Sequence, residues 1–461
     1  MSIQAAFMVP HPPMIVPDVG RGSEKQVQKT IDSYMKVASE IAELKPDTII
    51  ISSPHATMYG DYFHISPGAA AKGSFANFGA GRVSFNEKYD RLLVDKIEEL
   101  ATETGLHAGT MGEREPKLDH GTMVPLYFIR QKYKEGSIIR VGLSGLPLTM
   151  HYKLGQLIAK AVNDLGRRAV YVASGDLSHK LQDYGPYGYA PEGPEYDKRI
   201  MDVCSRGAFG ELFDFDESFC DKAAECGHRS FVIMAGALDG VSVKAKQYSH
   251  EDVTGVGYGI CSFYPEGCDD ERKFLDIRLN RRRKELDQMR NDSDEYVKLA
   301  RKSLENYILE GSKIDIPKDT SAELLEKQAG AFVSIHKHGQ LRGCIGTILP
   351  TTKCVAQEII NNAISASTED PRFDPIAPDE LEWLEINVDV LGDPESISGP
   401  EELDVKRYGV IVTKGYKRGL LLPDLDGVDT VEDQIAIAKR KAGIRPDEEV
   451  SLQRFEVIRH R

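Results

Sequence analysis

The chain has 461 residues, more than one hydrophobic core usually serves, so two domains are expected. A formal charge of -14 argues against a surface for nucleic acid or anionic membrane, and no run approaches the ~20 apolar residues of a membrane span. The 7 cysteines lack CxxC spacing and no basic-then-apolar leader opens the chain, so a reducing cytoplasm is expected rather than a disulfide framework.

Residues 5–9 read as a short apolar strand, followed by Pro10-His11-Pro12-Pro13. Proline on both sides excludes helix and holds His11 at a strand end; the bland alternative is a proline-rich turn. Helical spacing of Val27, Ile31, Met35, Ala38 and Ile41 predicts a helix over 25–44. A second buried strand over 48–51 ends in Ser52-Ser53-Pro54-His55. Two βα units thus each place a proline-flanked histidine just past a strand, which points to a metal or catalytic pair.

Glycine and alanine over 68–81 suggest a loop or hairpin, and 86–103 a helix. His120, beside Gly121, either reaches into a pocket or caps the apolar stretch 123–129. A strand over 137–143 and a helix over 153–165 lead to the segment Val170 to His179. Its β-branched and aromatic start reads as a buried strand, broken by Gly175. Asp176, Ser178 and His179 then fall at the carboxyl edge of the sheet, where open α/β sheets place ligands. His179 titrates near neutrality and is a candidate acid or base with Asp176 beside it. The alternative is a helix cap at Asp176 or Ser178 and a surface histidine.

The loop 183–194 carries Tyr184, Tyr187 and Tyr189, either as ring-stacking walls or as an ordered surface. Glu225 and Cys226 stand before an apolar helix over 231–238, and either can complete a metal set with His11 and His55. Otherwise Glu225 is a first-turn residue favoured by the helix dipole and Cys226 is packed. A strand over 256–263 closes the domain.

His11-Pro12-Pro13, Pro54-His55, Asp119-His120-Gly121, Gly175 to His179 and Glu225-Cys226-Gly227-His228 follow in this order over 3–265. In this the chain resembles the class III extradiol dioxygenase superfamily, which includes the Memo-like proteins. The resemblance implies an α/β sandwich with a central mixed sheet. It implies Fe(II), or another divalent metal, on His11, His55 and an acidic residue. It further implies His179 as base, His120 assisting at substrate or oxygen, and a small aromatic substrate with O2. Catalytic members use a carboxylate as third ligand, whereas Memo-like members place a cysteine before glycine. Glu225 and Cys226 are adjacent here, so both stay candidates. Two histidines and a carboxylate leave open positions on Fe(II), which suits a catecholate and dioxygen.

The first domain is expected over 1–266 and a charge-dense linker, helix or tether, over 267–292. A second domain follows over 293–461. There, strands over 331–335 and 341–346 flank His338-Gly339 as a hairpin; helices over 355–366 and 430–442 alternate with strands over 384–391, 409–413 and 419–423. The pattern suggests an α+β domain. Leu341-Arg342-Gly343-Cys344-Ile345-Gly346, Asp370 to Phe373, Leu420 to Pro423 and Lys441 to Ile444 resemble the AMMECR family over 293–458. Arg342 and Cys344 either form a site or mark a tight strand crossing that the two glycines permit.

Two function classes follow. One is a non-haem Fe(II) dioxygenase that cleaves a catechol- or aminophenol-like ring. The other is a metal-binding, non-oxygenase component of a modification system. The pairing of the two resemblances is that of the AmmeMemoRadiSam system, which implies a radical SAM protein as partner. A homo-oligomer is compatible with the sequence.

Overall fold

The computed structural model describes residues 3–114, 117–425 and 427–461. The chain divides into two units, Met1–Arg278 and Leu279–Arg461.

The strands of the first unit are β1 (Ile3–Val9), β2 (Thr48–Ser53), β3 (Phe63–His64), β4 (Ala70–Phe75) and β5 (Ala80–Lys88). They continue with β6 (Ala108–Gly109), β7 (Ser137–Gly142), β8 (Ala169–Ser174), β9 (Val241–Glu251) and β10 (Tyr258–Cys268). Six form one sheet in the order β7-β2-β8-β1-β10-β9. The pairs β7–β2, β2–β8 and β8–β1 are parallel, and β10 and β9 add antiparallel, so the sheet is mixed. β2 and β8 are buried throughout, which is why they read as unbroken apolar runs.

The helices are α1 (Pro17–Gly20), α2 (Gln28–Leu44), α3 (Arg91–Glu103), α4 (His120–Lys132) and α5 (Leu148–Asp164). They are followed by α6 (Glu192–Arg206), α7 (Glu217–Ala223) and α8 (His228–Ala237), and then by α9 (Phe274–Asp292), within which the division between the units falls. Phe7, Val9, Ile49, Ile51, Val170 and Val172 share one core with the buried faces of α2 and α4. α8 packs on α5 and against β8, β1 and β2.

Several local expectations shift. The buried stripe of α2 is Thr30, Ser33, Tyr34, Val37, Ala38 and Ile41, with Ile31 and Met35 only half-buried. The rotation brings Tyr34 onto Phe128, ring centroids 4.4 Å apart, and lets its hydroxyl donate to the Pro10 carbonyl. The helix expected from 86 starts at Arg91, because β5 runs to Lys88 and Asp90 caps α3 through the Leu93 amide. The segment 267–292 consists of a strand end, a short 3-10 turn and α9. Strand β9 and helices α6 and α7 had no counterpart in the sequence reading.

The second unit holds α10 (Glu295–Glu310), α11 (Ala322–Glu326), β11 (Ala331–Lys337), β12 (Gln340–Gly346) and α12 (Val355–Thr368). After these come β13 (Leu384–Leu391), β14 (Glu395–Ile397), β15 (Gly409–Lys414), β16 (Lys417–Leu421), α13 (Val431–Lys441), β17 (Ser451–Phe455) and β18 (Val457–His460). Two antiparallel sheets result, β12-β11-β13-β18 and β14-β17-β15-β16. His338 (φ 54°) and Gly339 (φ 79°) make the left-handed two-residue turn that joins β11 to β12. A Cβ on Gly343 would lie 2.1 Å from the Ala366 carbonyl, so helix α12 lies directly on the strand there. Arg342 binds both oxygens of Glu380, while the Cys344 thiol accepts from Ser334; the two do not form a pair. Among the described residues, no helix is long and apolar enough to cross a membrane.

Candidate metal centre

Sheet order builds the site. β2, β8 and β1 are neighbours and parallel, so their carboxyl ends open side by side. His11 follows β1, His55 follows β2, and Asp176 and His179 follow β8. Segments far apart in the chain therefore meet at one edge, as open α/β sheets arrange their ligand sites.

His11, His55 and Cys226 form a cluster in which the potential ligand atoms all lie within 4.8 Å of one another. His11 Nε2 is 3.1 Å from His55 Nε2 and 3.6 Å from Cys226 Sγ. The tautomer of His11 follows from its neighbours. Ser174 Oγ donates to the Gly121 carbonyl at 2.6 Å, so at 2.9 Å it can only accept from His11 Nδ1–H. The lone pair of His11 then lies on Nε2, toward His55 and Cys226. Burial, and then the neighbouring His55, hold His11 well below the ordinary imidazole range, which keeps it neutral and ready to ligate. Two imidazoles and a sulfur at these separations suit one ion at the usual bond lengths of about 2.0–2.3 Å. Burial raises the Cys226 thiol well above its ordinary range, with Asp176 and Glu225 adding to this. A bound cation would reverse that, because a coordinating thiol is deprotonated outright.

Glu225 lies outside this cluster. Its carboxylate accepts from the His228 amide at 2.6 Å and lies 3.5 Å from the Tyr196 hydroxyl. Burial raises it to about 7, against the opposing His228 hydrogen bond. It caps the start of α8 instead of facing the histidines. Cys226 reaches them because Gly175 and Gly227 pack backbone against backbone: a Cβ on Gly175 would lie 2.1 Å from Gly227 Cα.

Asp176 was expected beside His179 as a catalytic residue. Its carboxylate instead accepts the backbone N–H of His11 at 2.7 Å, and burial raises it to about 7. It positions the His11 main chain, and none of its hydrogen bonds goes to an imidazole ring.

His179 Nδ1 lies 2.5 Å from the Ala224 carbonyl and so carries the proton there, leaving Nε2 as the free nitrogen. Ser178 Oγ donates to the adjacent Ala223 carbonyl at 2.8 Å, which fixes the same turn. Burial lowers His179 below the ordinary range, against the opposing hydrogen bond to Ala224. Of the three loop tyrosines, Tyr187 packs edge-on against His179 at 5.1 Å; all three are exposed.

His120 opens α4. Asp119 is the cap, accepting from the Thr122 amide at 2.9 Å and from Ser53 Oγ at 2.6 Å. Ser53 Oγ in turn accepts from the His55 amide at 3.2 Å, which ties the two histidine-bearing segments together. The His120 ring lies over His55 with centroids 3.9 Å apart and is lowered to about 4, by burial first and His55 second. A cavity of about 300 Å³ opens here, lined by His55, His120, Phe78, Arg140 and Lys117. Neither Tyr34, which holds the Pro10 carbonyl, nor Arg140 was marked by the sequence, since both sit inside ordinary helix and strand patterns.

The family described as the catalytic LigB subunit of aromatic ring-opening dioxygenase matches residues 5–261. The chain belongs to this family. Residues 297–460 match the AMMECR1 family, so the chain joins a LigB domain to an AMMECR1 domain. A protein of Clostridium acetobutylicum is 42% identical over 478 residues, covering 100% of both chains. A Thermotoga maritima protein is 53% identical over 168 residues, 36% of this chain and 97% of its own. A crystal structure of a Pyrococcus horikoshii protein matches 36% of this chain and 88% of its own, with 36% identity and a TM-score of 0.34.

Proposed function

We propose that the LigB domain holds one divalent metal on His11, His55 and Cys226 and opens a catechol- or aminophenol-like ring, with Fe(II) as the metal and O2 as co-substrate. The observation that carries this reading is His179: an imidazole held low by burial whose Nδ1 is tied to a carbonyl, leaving Nε2 free at the same sheet edge as His11 and His55. A metal held by these residues would supply Lewis-acid and redox chemistry to the ring and to dioxygen. His179 Nε2 removes the phenol proton, for which a neutral base held near its target is required. His120, neutral and in ring contact with Phe78, lines the cavity beside His55 and is placed to pass a proton there. Ser174 and Asp176 hold His11 from its ring and its main chain.

One observation favours a second reading. Cys226 occupies the position where oxygenases of the two-histidine type carry a carboxylate. A thiolate suits a metal-binding component of a larger modification system without oxygenase activity. The radical SAM partner implied by the paired families belongs with that reading, as does a cytoplasmic setting.

The test is oxygen uptake by the Fe(II)-reconstituted full chain with catechols and aminophenols, read together with the absorbance of ring-opened product. Stoichiometric uptake and product support ring cleavage. Stoichiometric metal with neither uptake nor product rejects it and leaves the second reading.

A further inference from the structure

Asp197, on α6, is only 2% exposed, and both of its oxygens are engaged. Oδ1 accepts the Ser178 amide at 2.8 Å, and Oδ2 accepts from His250 Nε2 on β9 at 2.7 Å. Burying a carboxylate is costly unless such bonds offset it, so each of them bears on what the residue does. Burial would lower His250, but the hydrogen bond and charge of Asp197 raise it above the ordinary imidazole range, so the contact is charge-assisted. Two glycines clear the space around this pair and the turn it holds. A Cβ on Gly257 would lie 2.0 Å from Asp197 Oδ2, and one on Gly193, in the first turn of α6, 2.4 Å from the Lys180 carbonyl oxygen.

Ser178 directly precedes His179, and its main chain is held from both sides. Asp197 takes its amide, and the Gly257 amide donates to its carbonyl at 2.8 Å. Among the described residues, no other group accepts from the Ser178 amide. The His179 ring must meet the Ala224 carbonyl for Nδ1 to keep its proton and Nε2 to stay free. Ala224 holds a left-handed backbone (φ 52°), which a residue with a Cβ keeps only where its surroundings enforce it, so the acceptor is fixed as well. Planar peptides carry direction along the chain: a rotation at the Ser178 amide swings the Cα–Cβ bond of His179. A pair that merely fastened α6 to β9 would need no bond to this turn. The oxygen spent on Ser178 is what joins Asp197 to the candidate base.

We propose that Asp197, braced by His250, is a positioning residue that sets the direction of His179 Nε2. The kinetic part of its test rests on the reading of His179 as the base of ring cleavage; the placement of the imidazole is read without activity. Nitrogen NMR on the histidine-labelled full chain, before metal is added, reports the tautomer, with the His179 signals identified by their loss in His179→Gln. The parent should carry the proton on Nδ1. Asp197→Ala should move these signals toward a mixture of both tautomers. Asp197→Asn, which keeps an oxygen for the Ser178 amide, should restore the parent pattern. With iron added, kcat should fall about ten- to a hundredfold in Asp197→Ala, the order of loss that a displacement of about 1 Å brings. KM and iron content should stay unchanged, and Asp197→Asn should stay near the parent. If Tm shows that Asp197→Ala does not fold, His250→Phe decides: it leaves Asp197 in place, removes the donor that holds Oδ2, and should shift the tautomer in the same direction. An unchanged tautomer in the deciding variant, an Asp197→Asn protein that behaves like Asp197→Ala, or a loss of iron in place of kcat overturns the positioning role. A parent that opens no ring rejects the ring-cleavage reading, and the tautomer comparison then decides the positioning role by itself.

Discussion

Gly175→Ala tests how Cys226 is brought to the histidines without touching any ligand. The new Cβ would lie 2.1 Å from Gly227 Cα and 3.1 Å from both Gly227 N and the Phe231 ring. Carbon atoms pack at about 3.5 Å or more, so one backbone must retreat by roughly 1.4 Å. The Gly175 side is anchored, since its amide donates to the Val9 carbonyl at 3.0 Å across two buried strands. The turn bearing Cys226 and Gly227 is the side that yields. Ligand distances tolerate only about ±0.2 Å, so a shift of this size removes the sulfur from the coordination sphere. Metal affinity should fall at least ~10–100-fold, the usual effect of disturbing a ligand's support. Overpacking should destabilise the domain by about 1–3 kcal/mol. Competition with a chromogenic chelator measures the first, and thermal unfolding the second. Gly267→Ala, which meets nothing within 4 Å, is the matched control and should change neither. Wild-type metal affinity in Gly175→Ala, with His11 and His55 intact, would refute the claim that this glycine contact places a ligand.

Cys226→Ser should lose metal at least tenfold while Glu225→Gln keeps full stoichiometry; the reverse pattern in a metal assay would restore Glu225 as ligand. If the ring-cleavage reading holds, His179→Gln should lower turnover ~10²–10⁴-fold with metal retained, and loss of metal would make His179 a ligand. In the second unit, burial would raise Glu380, but Arg342 and Lys337 bind it and lower it to about 2. A lowered carboxyl stabilises fully above its ordinary range near pH 4.5 and loses that contribution as pH falls through about 2. Acid titration of Glu380→Gln should therefore show a shallower loss of stability between these limits than the parent, by about 1–3 kcal/mol; identical slopes would contradict the pairing. Limited proteolysis should cut within 267–294 and leave two stable fragments, and resistance throughout that stretch would contradict separate folding.

Local sequence carried much of the candidate site. The unbroken apolar runs at β1, β2 and β8 reveal strands buried on both faces, because no alternation is needed where both sides are covered. The prolines around His11 and before His55, and Gly175 before Asp176, mark where those strands must stop. What could not be read there is which ends lie together. That depends on the strand order β2-β8-β1, and parallel strands paired over more than 100 residues leave no local trace of their neighbours. The choice between Glu225 and Cys226 was also beyond it. Adjacent residues on a tight turn point to opposite sides, and only the contact of Gly175 with Gly227 shows which side faces His11. Arg140 is the same case in a strand: to the sequence it is one charge in an apolar run, and its acceptors, Ser66 and Lys117, are 74 and 23 residues away. Residue type and spacing determine where chemistry is available along a chain, but packing across the sheet decides which groups share it.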